Sequence, residues 1–160
     1  MKAIVVTDQA AGTAGMKLAE RPEPPAAIND VIVQIHASGF VPTEMEWPST
    51  WTDRRDCDRT PSIPGHELAG VVTALGWGTT GLSVGQRVFG LADWHRDGTL
   101  AEYVAVEARN LAPLPGDVDF TVGAALVADC AFAGRAHVFC SVAISRYRRP
   151  AYTGSGTNYS

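Results

Sequence analysis

Glycine and proline cut the first 119 residues of this chain into short pieces, and no piece carries the long 3.6-residue period of an amphipathic helix. The pieces read as strands. Residues 2–7 form a first strand, 12–15 a turn, 16–21 a returning strand and 22–25 a proline-stiffened connector. Residues 30–38 alternate so that Val31, Val33 and Ile35 share a buried face while Ile32, Gln34 and His36 share a mixed one. Strands at 68–75, 83–91 and 99–106 follow, separated by the glycine-rich turn 76–81 and by Gly98. Many short strands at this spacing predict a mainly β protein, a closed or partly closed barrel and not a parallel sheet. One helix is predicted at 119–127, with Asp119 at its acidic cap position, leaving the barrel.

The polar residues worth attention cluster at one strand mouth. In Pro61-Ser-Ile-Pro-Gly-His-Glu-Leu-Ala-Gly-Val-Val72 two prolines stiffen the approach and Gly65 allows a close turn. His66 and Glu67 then stand where the turn opens into a strand. A histidine there is either a hydrogen-bonded structural residue or a ligand or proton carrier, and the pair by itself leaves both open.

Composition narrows the classes of partner. The chain has 160 residues, 46% of them hydrophobic and 19% charged, which suits a globular domain. A net charge of -4 and a pI near 5.5 give no basic footprint for nucleic acid or an anionic membrane. The apolar run at 3–6 stops at Thr7 and Asp8, and the window 127–145 is broken by Asp129, Arg135 and His137, so neither a secretion signal nor a membrane span is expected and the predicted location is cytoplasmic. Cys57, Cys130 and Cys140 form no CxxC pair and read as free thiols. Charge divides the chain: residues 1–119 carry 9 basic against 16 acidic side chains, whereas 120–160 carry 4 arginines against Asp129 alone. The polar Gly/Ser/Thr stretch at 152–160 reads as a disordered tail.

The order of motifs is more specific than any one of them. Residues 37–44 (Ala-Ser-Gly-Phe-Val-Pro-Thr-Glu), 63–72 (Ile-Pro-Gly-His-Glu-Leu-Ala-Gly-Val-Val), 84–90 (Val-Gly-Gln-Arg-Val-Phe-Gly) and 98–103 (Gly-Thr-Leu-Ala-Glu-Tyr) resemble the amino-terminal domain of medium-chain dehydrogenases/reductases. The resemblance covers residues 1–127. It implies a GroES-like, partly open β-barrel with short helices, paired in the family with a Rossmann domain that binds NAD(P). Residues 128–160 are expected to be non-family sequence, from an interrupted reading frame or as an irregular, disordered carboxy-terminal segment.

Within that family the resemblance is to the zinc-independent quinone oxidoreductases. The position of a catalytic zinc cysteine is Val41, which cannot ligate a metal. The lobe that carries structural zinc is replaced by Leu91-Ala-Asp-Trp-His-Arg-Asp97, with no cysteine. No zinc is expected. The implied chemistry is hydride transfer from NADP(H) to a small quinone or enone, with the substrate carbonyl polarised by hydrogen-bond donors. Thr43 and His66 are the catalytic candidates, and Val41, Trp47 and Leu91 the substrate-facing ones. Thr43 reads equally as the cap of a short helix at 42–47. Trp47, Trp51 and Trp94 read either as pocket walls or as packing, and Trp77 as a turn residue. The charged run 53–59 reads as a solvated loop, with Cys57 an exposed bystander.

Two other readings remain open from the residues. After residue 127 no strand, Gly-rich turn and helix offer a dinucleotide site, and Gly154-Ser-Gly156 lies in the polar tail, so the isolated barrel reads also as an inactive fragment or a non-enzymatic binding module. A remnant of a zinc-type alcohol dehydrogenase would use His66, Glu67 and an outside ligand such as His95. Substrate identity and oligomeric state are not readable.

Overall fold

A computed structural model describes residues 1–132, with side chains described through residue 127. The expectations for Cys130, Cys140 and the segment 133–160 fall outside that range. The first sheet is the antiparallel pair β1 (Lys2–Val5) and β2 (Lys17–Glu20). Between them the predicted turn is the end of a 3-10 segment, Gln9–Gly15, broken at Gly12 where φ is 53° and started by Asp8, whose carboxylate accepts from the Ala10 amide.

The second sheet holds β3 (Asp30–Gly39), β4 (Glu67–Leu75), β5 (Arg87–Leu91), β6 (Tyr103–Glu107) and β7 (Leu111–Pro113), in the order β6-β3-β4-β5-β7, every pair antiparallel. The sheets do not close into one continuous barrel. Isolated bridges, Ala3 with Ala101 and Val6 with Ser62, join β1 to the rest, giving the partly open form.

Several boundaries differ from the sequence reading for local reasons. Residues 83–86 form a turn, because the Ser83 amide donates to Gln86 Oε1 and Gly85 has a φ of 84°, so β5 starts only at Arg87. Residues 99–102 bond largely to other segments, the amides of Thr99, Leu100 and Glu102 donating to the carbonyls of Gly65, Pro64 and Lys2, and reach β3 at the Glu102 carbonyl, which accepts from the Ile35 amide. Strand β7, which the alternation did not predict, is short and carries Pro113 at the sheet edge.

The faces of β3 follow its alternation. Val31 and Val33 are buried with Leu68, Val72, Val88, Val104 and Val106, while Gln34 and His36 are exposed. Helix α1 is the single turn Pro48–Trp51, and α2 spans Phe120–Phe132, longer than the 119–127 predicted. The Asp119 carboxylate accepts from the Thr121 amide at 2.8 Å, the cap expected of it. Ala124 and Val127 then pack on Ala69, Phe89 and Leu114, and Phe120 stacks on His36 with ring centroids 4.4 Å apart.

Asp30, 1% exposed, ties three segments together. Its carboxylate takes both terminal nitrogens of Arg96 at 3.0 and 2.7 Å, and its carbonyl accepts from the Gly76 amide and the Thr79 hydroxyl. Asp30 is buried but Arg96 is 35% exposed, so Asp30→Ala is expected to lower unfolding free energy by about 1.5–3 kcal/mol, the worth of its charge-assisted hydrogen bonds. Arg54→Ala, at an exposed ion pair, is expected to cost less than about 1 kcal/mol. Urea unfolding followed by tryptophan fluorescence gives both values, and equal losses would contradict the assignment.

Candidate functional site

The Pro61–Glu67 turn is shaped by crowding. Gly65 has a φ of 91°, and a Cβ there would lie 2.6 Å from Thr99 Oγ1. The turn delivers His66, 3% exposed, to the residue before β4, and its carbonyl accepts from the Ala92 amide at 2.8 Å.

The opposing wall is the 3-10 turn Pro42–Glu46. Glu44 is 1% exposed and reaches back, its Oε1 accepting from the Val41 amide at 3.1 Å and its Oε2 from the Gly65 amide at 2.9 Å. One carboxylate therefore bonds both walls of the mouth. Glu44 Oε2 lies 3.6 Å from His66 Nε2, too long for a hydrogen bond. Burial pushes the Glu44 carboxyl up, helped by the nearby Glu67 charge, while the Val41 and Gly65 amides pull it down. Burial, and secondarily Arg59, hold the His66 imidazole down at about 4, against a smaller opposite pull from Asp93. With a neutral imidazole the 3.6 Å contact is not an ion pair.

Three rings meet at this point. His66 lies 4.4 Å from Trp94 and 5.8 Å from Trp47, and the two indoles are 4.9 Å apart. Both His66 ring nitrogens are buried with no hydrogen-bond partner among the described residues. Trp94 sits on a loop held by charge at nearly every step: Asp93 pairs with Arg54, Arg96 with Asp30, and Asp97 with Arg21 at 3.5 Å and Arg59 at 3.4 Å. Arg59 also donates to the Trp94 carbonyl at 3.3 Å and the Ser49 carbonyl at 2.7 Å.

The residues singled out in the sequence are distributed as follows. Thr43 is exposed on the 42–46 turn, and its hydroxyl bonds no described residue. It does not cap that turn; the cap position is Val41, whose amide is taken by Glu44. Val41 is 38% exposed on the same wall. Trp47 is half-buried in the ring cluster. Leu91 ends β5 opposite Glu67 and packs with the cluster beneath α2. Trp51 is core, its Nε1 donating to the Met45 carbonyl, and Trp77 is 84% exposed. The 53–59 run is a loop folded on itself, the Asp53 carboxylate accepting from the Arg55 and Cys57 amides, and Cys57 is a free, exposed thiol.

Sequence reasoning noted Glu44 only as part of a motif. Its signal was positional: an acid three residues after Val41, across a proline, has the reach-back spacing of a turn cap. The Trp94–His66 ring contact had no signal in either segment alone.

As for metal, the described residues contain no group of three or more His, Cys, Asp or Glu side chains placed to hold an ion. Val41 is a hydrocarbon, and His66, Glu67 and His95 do not assemble into such a group. This donor set does not fit a three-ligand zinc. At the start of β4, Glu67 packs against Gly39, where a Cβ would lie 2.7 Å from Glu67 Oε2, an oxygen that is itself buried without a partner among the described residues.

An open antiparallel sheet, a His–Glu turn at its mouth and a helix departing beside it define the GroES-like class of domain. The chain belongs to the alcohol dehydrogenase GroES-like domain family, which matches residues 27–116. It is 30% identical to the L-threonine 3-dehydrogenase of Ruegeria pomeroyi over 142 residues, covering 70% of this chain and 40% of that protein. It is 32% identical to the quinone oxidoreductase of Rattus norvegicus over 98 residues, covering 61% of this chain and 29% of that one. An alcohol dehydrogenase superfamily protein from Novosphingobium aromaticivorans superposes with a TM-score of 0.70 at 32% identity, covering 83% of this chain and 40% of that structure. The chain thus spans less than half the length of these relatives. Among the described residues no helix is long and apolar enough to cross a membrane.

Burial of His66 sets a pH dependence. Its folded pKa of about 4 lies below the ordinary 6.5, so between these values the unfolded chain binds more protons. The stability linked to His66 is complete above pH 6.5 and is lost as pH falls through about 4. The loss amounts to at most about 3 kcal/mol. Glu44, shifted up, acts in the opposite sense, its contribution fading as pH rises through its folded value. Urea unfolding of the wild type and His66→Asn from pH 4 to 7 isolates the histidine part: the wild-type curve is expected to fall more steeply toward acid, and parallel curves would contradict it.

Proposed function

We propose that residues 1–127 form the substrate-side domain of an NADP-dependent, zinc-independent oxidoreductase of the quinone or enone reductase type. The observation that carries this reading is Val41. Where a zinc enzyme needs a thiolate, this wall of the mouth offers a hydrocarbon side chain and a backbone amide already bonded to Glu44. A carbonyl bound here is polarised by hydrogen-bond donors instead of a Lewis acid. Thr43, exposed beside Val41 and with its hydroxyl unbonded among the described residues, is the donor we assign to the substrate oxygen. His66, held neutral, keeps one N–H to donate. Val41, Trp47 and Leu91 supply the apolar sides. NADPH, when bound, supplies the hydride. The free, exposed Cys57 suits the reducing cytoplasm in which we place the protein.

Two observations favour other readings. The burial of His66, 3% exposed beneath two indoles, favours a binding module of GroES-like form. Similarity to an L-threonine 3-dehydrogenase favours an alcohol as substrate, as in a zinc-type dehydrogenase remnant.

Titration of the purified chain with NADPH, followed by addition of 1,4-benzoquinone, separates the three. Saturable cofactor binding and quinone-dependent NADPH oxidation that survives dialysis against EDTA are expected of the quinone reductase. In that assay Thr43→Val is expected to lower kcat by about 100-fold with little change in KM. No binding at millimolar cofactor leaves the binding module, and zinc-dependent oxidation of L-threonine leaves the alcohol dehydrogenase.

A further inference from the structure

His66 presents a physical problem that the reading above does not resolve. A donor to substrate must be reachable, yet His66 is 3% exposed and is walled off by two indoles. Its ring nitrogens also lack the partner that buried polar atoms normally have, and leaving them unpaired is costly. Of the two indoles, Trp94 is the nearer, with centroids 4.4 Å from the imidazole, and is 40% exposed, so its outer face borders solvent.

The backbone under Trp94 is fixed. The Asp93, Arg96 and Asp97 side chains are each engaged by a partner from another segment, and the Trp94 carbonyl accepts from Arg59. Access to His66 therefore comes from rotation of the indole about its own side-chain bonds, with the loop staying in place. The indole meets the imidazole at 34° and Trp47 at 52°, so the space it would vacate borders both rings.

We infer that Trp94 is the specificity-determining residue of this site: its side chain gates His66, and a flat carbonyl-bearing ring takes its place against the imidazole. The exchange is ring for ring. A flat ligand replaces the tilted ring contact that the indole gives up, with a face free to lie along the imidazole, and brings an oxygen to the unpartnered N–H, whereas a puckered one does neither. The inference rests on the proposed carbonyl substrate, but it concerns binding alone.

The test is therefore a binding measurement without cofactor. The probe is anthraquinone-2-sulfonate, flat and with no open quinone edge for addition of Cys57; cyclohexane-1,4-dione is the puckered comparison. Nuclear magnetic resonance of the His66 ring protons at neutral pH reports contact in the wild type, Trp94→Ala and Trp94→Phe. In the wild type the anthraquinone is expected to shift the His66 signals and the dione is not. In Trp94→Ala the gate is gone, so the anthraquinone should bind about threefold to tenfold tighter, the worth of one aromatic contact, and the dione should now also shift His66. Trp94→Phe, which keeps a stacking ring and guards against a folding defect in the alanine variant, should retain the discrimination.

Loss of anthraquinone binding in Trp94→Ala would show the indole to be a fixed platform and would overturn the gate. So would wild-type binding that leaves His66 unmoved. If the probe binds as described but no NADPH-dependent reduction is found, the gate stands and the quinone reductase reading falls. Reduction without any His66 response has the reverse meaning.

Discussion

The fold depends on a carboxylate that has almost no contact with water. Asp30 opens the longest strand, and its two oxygens are occupied by the guanidinium of Arg96, sixty-six positions along the chain. The match is bidentate and planar, the strongest form of side-chain ion pair. Because the Asp30 carbonyl also holds the turn after β4, this one residue fixes the start of β3, the end of β4 and the loop that carries Trp94. The sheet register and the site wall are thus set by the same anchor.

Glu44 performs a similar task one layer closer to the site. Both of its oxygens accept backbone amides, one from each side of the mouth, so its role is that of a bracket. Burial pushes its carboxyl and the neighbouring imidazole toward their neutral forms. A site whose titratable groups resist charging suits chemistry in which a substrate oxygen gains charge and is met by dipoles and N–H or O–H donors.

Much of this was legible in the sequence, and the failures have a common origin. The alternation of β3 gave its two faces because one side packs on valines from β4, β5 and β6, while the other is mixed, with Ile32 buried, Gln34 exposed and His36 against Phe120 of α2. Asp119 was legible as a cap because capping is local. The starts of β5 and β6 were misplaced because residues 83–86 and 99–102 spend their backbone groups on a turn and on bonds across the mouth, choices that alternation does not encode. At the site, His66 and the hydrocarbon at Val41 were readable from motif position. The burial of Glu44 and the contact of Trp94 with His66 were not, since each joins segments tens of residues apart and depends on the completed sheet.

The contact between Gly39 and Glu67 extends beyond geometry. These residues face each other across β3 and β4, and the glycine is bare because the acid fills its space. Position 39 is then not free to vary by itself. A methyl at 39 needs a shorter side chain at 67, and a bulkier residue at 67 needs the glycine kept, so the two form a single heritable unit. In a lineage of such chains, a side chain at 39 should therefore appear only where the acid after the histidine has become smaller, a one-way dependence between positions far apart in sequence.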